Sequence, residues 1–152
     1  MDDWFSLEKQ LSVWLAGFSS EKIEFRNSYQ AIVGFPTNGF RSDGMLTDGK
    51  ILIAVEVEAG QMHPDTNVGK YWLLFEEHKQ YSKIVLFHIY TPAFKSYEWR
   101  MKLASFYAIK MADILPFEYR LFDCRTEKSL DEVVEKLKLE IEQTLKRNFG
   151  LS

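Results

Sequence analysis

Three carboxylates, Asp43, Glu56 and Glu58, flank an Asp48-Gly49 pair that separates two strand-like runs, 41–47 and 50–58. Asp-Gly in that setting is a strong hairpin signal, because both turn positions tolerate positive φ. With Asp48 and Gly49 as the two loop residues, Thr47 faces Lys50, Asp43 faces Ala54 and Arg41 faces Glu56. Opposed residues on an antiparallel pair project from one face, and alternate residues along a strand share a face. The spacing predicts Asp43, Glu56 and Glu58 on one face, with Asp43 diagonal to Glu56. Ile51, Ile53, Val55 and Val57 then enter the core from the other. Three clustered carboxylates repel. A bound cation, a raised pKa or a neighbouring base such as Arg41 relieves the repulsion. A hard cation such as Mg²⁺, held by one or two of these carboxylates and a few waters, would polarise a phosphate and activate a water, which is the chemistry of phosphodiester hydrolysis.

The elements that position these residues follow from apolar spacing. Trp4, Leu7, Leu11, Trp14, Leu15 and Phe18 form one helical stripe, with Gly17 at its end. Tyr29 to Phe35 reads as a strand before the Pro36, Asn38 and Gly39 turn. After Pro64 a helix begins at Asp65 or Thr66, burying Val68, Tyr71, Trp72, Phe75 and His78. Ile84 to Tyr90 is a buried strand, Tyr97 to Met111 a helix, and Glu118 to Cys124 a short strand. Ser129 and Glu132 stand in capping-box spacing ahead of a last helix through Leu145. The order describes an α/β domain, a mixed central β-sheet flanked by α-helices. Without repeats or linkers, residues 1–152 read as one domain.

Composition narrows the function classes. The chain has 152 residues, 46% hydrophobic and 15% aromatic, enough for a packed core. A net charge of −3 argues against a protein that coats nucleic acid, though not against an enzyme whose bound cations reverse the local field. Asp2 and Asp3 at the start, the lack of any long apolar run and the single Cys124 point to a cytoplasmic protein with no membrane partner.

The motif Arg41-Ser42-Asp43-Gly44 followed by Val55-Glu56-Val57-Glu58 resembles the PD-(D/E)XK nuclease superfamily. The order of helix, strands, helix and strand over Leu7 to Tyr90 is similar to the core of these restriction endonuclease-like folds. The resemblance implies a Mg²⁺- or Mn²⁺-dependent endonuclease acting on nucleic acid, DNA by expectation. Asp43 and Glu56 would be its metal ligands, helped by the Val57 carbonyl. Ser42 replaces the motif's proline, and Glu58 stands where most relatives carry lysine. Lys70, on the following helix, would supply a migrated lysine that meets the water or the scissile phosphate.

Other readings stand beside this one. The acids would also suit a solvated hairpin face with Arg41 paired to Glu56, and Lys70 an ordinary surface lysine. The chain would then be a nuclease-fold binding module without catalysis, or an unrelated α/β regulatory protein. His63 reads as a turn-orienting residue, and His78 and His88 as hydrogen-bonded core or boundary histidines. Tyr71 and Trp72 read as core, Cys124 as a small buried hydrophobe, and Glu8 and Glu24 as surface acids able to add to a metal site. A homodimer is left open.

Overall fold

Two-residue alternation on strands and 3.6-residue stripes on helices build a three-layer arrangement. The computed structural model describes residues 2–60, 63–95 and 98–151. After a short 3-10 turn, Trp4–Ser6, the elements are α1 (Leu7–Ala16), β1 (Glu24–Asn27), β2 (Gly44–Thr47), β3 (Ile51–Glu58), α2 (Pro64–Glu77), β4 (Lys83–Tyr90), α3 (Glu98–Ile114), β5 (Phe117–Asp123) and α4 (Leu130–Phe149). The strands form one open sheet in the order β1-β2-β3-β4-β5. β1 to β3 pair antiparallel, and β3 to β5 pair parallel. Parallel neighbours need crossovers, and α2 and α3 supply them. The fold is the expected mixed α/β sheet between helices.

Each sheet face carries its own core. Ile53, Val55 and Val57 pack with α1 and α4, while Leu52 and Ala54 pack with α2 and α3. Both faces of β3 are covered, so Glu56 and Glu58 cannot belong to a solvated hairpin face. They are 2% and 0% exposed.

The hairpin closes two residues away from its expected register. Gly44 pairs with Val55, Met45 with Ala54, Leu46 with Ile53 and Thr47 with Leu52. The loop is therefore Gly49-Lys50, not Asp48-Gly49. Asp48 is held back beside Ile51, because its carboxylate accepts from the N–H groups of Lys50 and Ile51 at 2.9 and 2.8 Å. Gly49, at φ +92°, takes the first central position, as in a II′ hairpin. A slip of two preserves side-chain facing, whereas a slip of one reverses it. The expected face survives, and the continued register sets Asp43 beside Glu56 rather than diagonal to it.

The expected strand from Tyr29 to Phe35 does not form. Among the described residues that stretch carries only isolated bridges, Ala31 with Arg41 and Val33 with Phe35. Gly34, at φ +112°, turns the chain there, where a Cβ would meet the His78 ring at 2.8 Å. The first strand is Glu24–Asn27, a short polar run that owes its extension to pairing with β2. The expected start of α3 at Tyr97 lies outside the described residues; the helix is described from Glu98 and runs on to Ile114. At α4, Ser129 accepts from the Glu132 N–H at 3.3 Å, and Gly150 closes the helix at φ +66°. No helix among the described residues is long and apolar enough to cross a membrane.

Candidate functional site

Glu56 and Glu58 leave β3 near its carboxyl end, toward the first turns of α2. Asp43 arrives from the residue before β2, its N–H donating to Val55 O at 3.1 Å. Its Oδ2 accepts from the Val57 N–H at 2.6 Å, so a single strand end holds both acids in place. Asp43, Glu56, Val57, Asn67 and Lys70 line a cavity of about 240 Å³, with Glu8 of α1 at the same opening. Ligand sites in open α/β sheets lie at the carboxyl ends of strands.

Lys70 reaches back to the carboxylate face. Its Nζ lies 2.8 Å from Glu56 Oε2, 2.6 Å from Arg41 O and 3.1 Å from Asn67 Oδ1. The residue is 6% exposed, which removes the surface-lysine reading. Tyr71 Oη donates to the same Glu56 oxygen at 2.6 Å. Arg41 contributes its backbone carbonyl, and its exposed side chain forms no ion pair with Glu56 among the described residues. Burial raises Glu56 to about 7, against the opposing pull of Lys70 and Tyr71. Burial also raises Asp43 well above the carboxylate range, with repulsion from Glu56 and then Glu8 adding to it. Two adjacent carboxylates with raised pKa values form a site that favours positive charge.

Glu58 shares their face but not their cavity. Its Oε2 is 2.7 Å from His88 Nε2 and accepts from Asn67 Nδ2 at 2.7 Å. His88 Nδ1 lies 2.7 Å from Tyr119 Oη. Burial lowers the His88 pKa, opposed by Glu58, which favours the neutral ring. These partners then select one tautomer, with Nε2–H donating to Glu58 and Nδ1 accepting from Tyr119. Glu58 Oε1 is buried with no hydrogen-bond partner in the described residues. The expected gathering of three acids thus becomes two acids with Lys70, plus a third turned into a histidine network. Among the described residues no group of three His, Cys, Asp or Glu side chains is placed to hold a metal.

No family model, curated protein or solved structure matches the chain.

The donor set fits one class of cation. Mg²⁺ and Mn²⁺ accept one or two carboxylates and fill the remaining positions with waters and carbonyls. Asp43 Oδ1 and Glu56 Oε1 accept no hydrogen bond among the described residues and would serve as those carboxylate donors.

The sequence reading missed Asn67, the hydroxyl of Tyr71, and the pairing of His88 with Tyr119. A signal existed for the first two: Asn67, Lys70 and Tyr71 fall one turn apart, with Lys70 inside a buried apolar stripe. For Tyr119 no local signal existed, because its contact with His88 is set by the β4–β5 register. His88 was expected to be a satisfied core histidine and is one, at 0% exposure. His63 stands at the N-cap of α2 without a side-chain cap and lies against Arg100 at 3.0 Å. Glu24 is exposed and paired to Arg26, and Cys124 is buried.

Proposed function

We propose that the chain is a Mg²⁺- or Mn²⁺-dependent nuclease of the PD-(D/E)XK kind that hydrolyses phosphodiester bonds in DNA. The observation that carries the reading is the meeting of Asp43, Glu56 and the Lys70 ammonium at one cavity, 13 to 27 residues apart in sequence but side by side in space. Asp43 and Glu56 would hold the cation, with the Val57 carbonyl beside them. When bound, the cation supplies Lewis acidity toward the phosphate and lowers the pKa of a water. Lys70 places positive charge where negative charge develops on the phosphate, and Glu56 and Asn67 keep its flexible stem in position. Glu58 does not take the place of the motif's lysine. It anchors Asn67, which in turn holds Lys70.

A second reading has its own support. All three protons of the Lys70 ammonium have acceptors, Glu56, Arg41 O and Asn67, as in a structural ion pair. That arrangement suits a nuclease-fold module that binds nucleic acid or protein without cutting.

The two readings separate on one assay. Purified chain with Mn²⁺ should nick supercoiled plasmid DNA, and Glu56→Gln should lose nicking while its circular dichroism is unchanged. Cation binding with no cleavage of DNA or RNA would replace the enzyme by the module.

A further inference from the structure

We propose that α3 is a self-association surface on which two copies of the chain pair antiparallel about a two-fold axis, each placing Trp99 in a groove at the far end of its partner's α3. This surface stands independently of the nuclease reading.

α3 is apolar on two sides. Met101, Ala104, Ala108 and Met111 face the sheet, while Trp99, Leu103, Phe106, Ile109 and Ile114 are 76%, 38%, 54%, 63% and 64% exposed. A helix that is apolar all round is ordinarily covered on both sides. α4 shows the contrast: seven residues bury one stripe, and Leu139 is the one large apolar side chain exposed among those described on it. The outer α3 side chains offer on the order of 500 Å² per copy, approaching the roughly 800 Å² per partner of a stable interface.

The occupant follows from the shape and charge of this helix. A groove of about 600 Å³ opens beside its C-terminal end, walled by Ile109, Ala112, Leu115, Pro116, Phe117 and Tyr119. The exposed indole of Trp99 stands at the other end, so knob and hole lie about 25 Å apart on one element. A two-fold axis across the helix satisfies both at once, and an isologous contact requires that self-complementarity. The register that sets Phe106 against the partner's Ile109 also sets Trp99 against the partner's Pro116 and Lys102 against the partner's Asp113. Opposite charges therefore meet twice at the rim of an apolar centre. Lys102 and Lys110 lie over the Trp99 and Phe106 rings at 4.5 and 5.6 Å, and such stems can swing to the rim while covering apolar area.

Sedimentation equilibrium of the full chain, up to about 100 µM, tests the pairing. The wild type should be a dimer over the upper part of that range. Trp99→Glu and Ile109→Glu should each raise the dimer Kd at least about tenfold, whereas Leu139→Glu on α4 should leave it within about twofold. Lys102→Glu should weaken the dimer several-fold, and adding Asp113→Lys should restore it. A wild type that stays monomeric throughout overturns the proposal, as does a dimer indifferent to Trp99→Glu. Failure of the double charge reversal to restore pairing overturns the antiparallel register.

Discussion

Glu56 and Glu58 are separated by one residue on one strand, yet they end in different kinds of place. Glu56 lines a cavity with Asp43, faces an ammonium and has its pKa raised to about 7. Glu58 is sealed in the interior between His88 and Asn67. The side chain and the face are the same, so neighbours on other elements decide the difference: α2 gives Glu56 a lysine, and β4 gives Glu58 a neutral histidine. One carboxylate is left able to exchange its proton or bind a cation, and the other is committed to holding Asn67. A role in chemistry and a role in support are thus divided between residues that look equivalent in sequence.

The sharpest break in this comparison is His88→Phe. It leaves the Glu58 carboxylate buried with Asn67 as its one partner among the described residues. The cost should be about 3 kcal/mol in urea unfolding, because the Glu58 and Tyr119 oxygens both lose the ring that satisfies them. Adding Glu58→Leu should recover most of that loss. Lys70→Met should cost less, since Glu56 can take a proton instead. Equal costs at both sites would mean that the sealed and the accessible acid do not differ.

Titration should show the two regions with opposite slopes. Glu56 is raised, so its contribution to stability is fully present below the unfolded pKa of 4.5 and is lost as pH rises to about 7. At 1.36 kcal/mol per unit this amounts to about 3 kcal/mol in cation-free protein, and the raised Asp43 acts in the same direction. His88 is lowered, so its contribution is present above 6.5 and is lost as pH falls below that value. Urea unfolding between pH 4.5 and 8 should show a much shallower first slope in Glu56→Gln, with the Asp43 part left, and keep the second. A Glu56→Gln curve that parallels the wild type would remove the case for a raised Glu56.

Turnover should separate Lys70 from Glu58. Lys70→Met should lower Mn²⁺-dependent nicking by about 10²-fold, the scale of one lost electrostatic contact. Lys70→Arg should rescue it in part, because a planar fork replaces a point charge poorly. Glu58→Gln keeps an acceptor for His88 and should lower nicking much less. The reverse ranking would move the chemistry to Glu58.

The smallest effect should be the cation's own stabilisation. Mn²⁺ at tenfold excess over Kd should add about 1.4 kcal/mol in thermal unfolding of the wild type and of Glu58→Gln. Asp43→Ala should lose that gain, and Glu8→Gln should reduce it only slightly, since Glu8 acts on Asp43 through charge. Retention of the response in Asp43→Ala would place the cation elsewhere.

Alternation along 51–58 and the stripe from Pro64 to Phe75 were legible because strand and helix periods act within one element. They placed Glu56 and Glu58 on one face and gave the α/β order, since burial of an apolar stripe is a local demand. The hairpin register was off by two because the Asp48 carboxylate, a side-chain effect, outweighed the Asp-Gly turn preference. β1 was invisible because Glu24–Asn27 is extended through partners rather than propensity. Sequence alone thus determined which residues would share a face, and with them the candidates Asp43, Glu56, Glu58 and Lys70. Tertiary structure decided which of those acids meets a lysine and which a histidine. Lys70 comes from a helix and His88 from a strand 30 residues beyond Glu58, and only packing of α2 and pairing of β4 bring such distant groups within 3 Å.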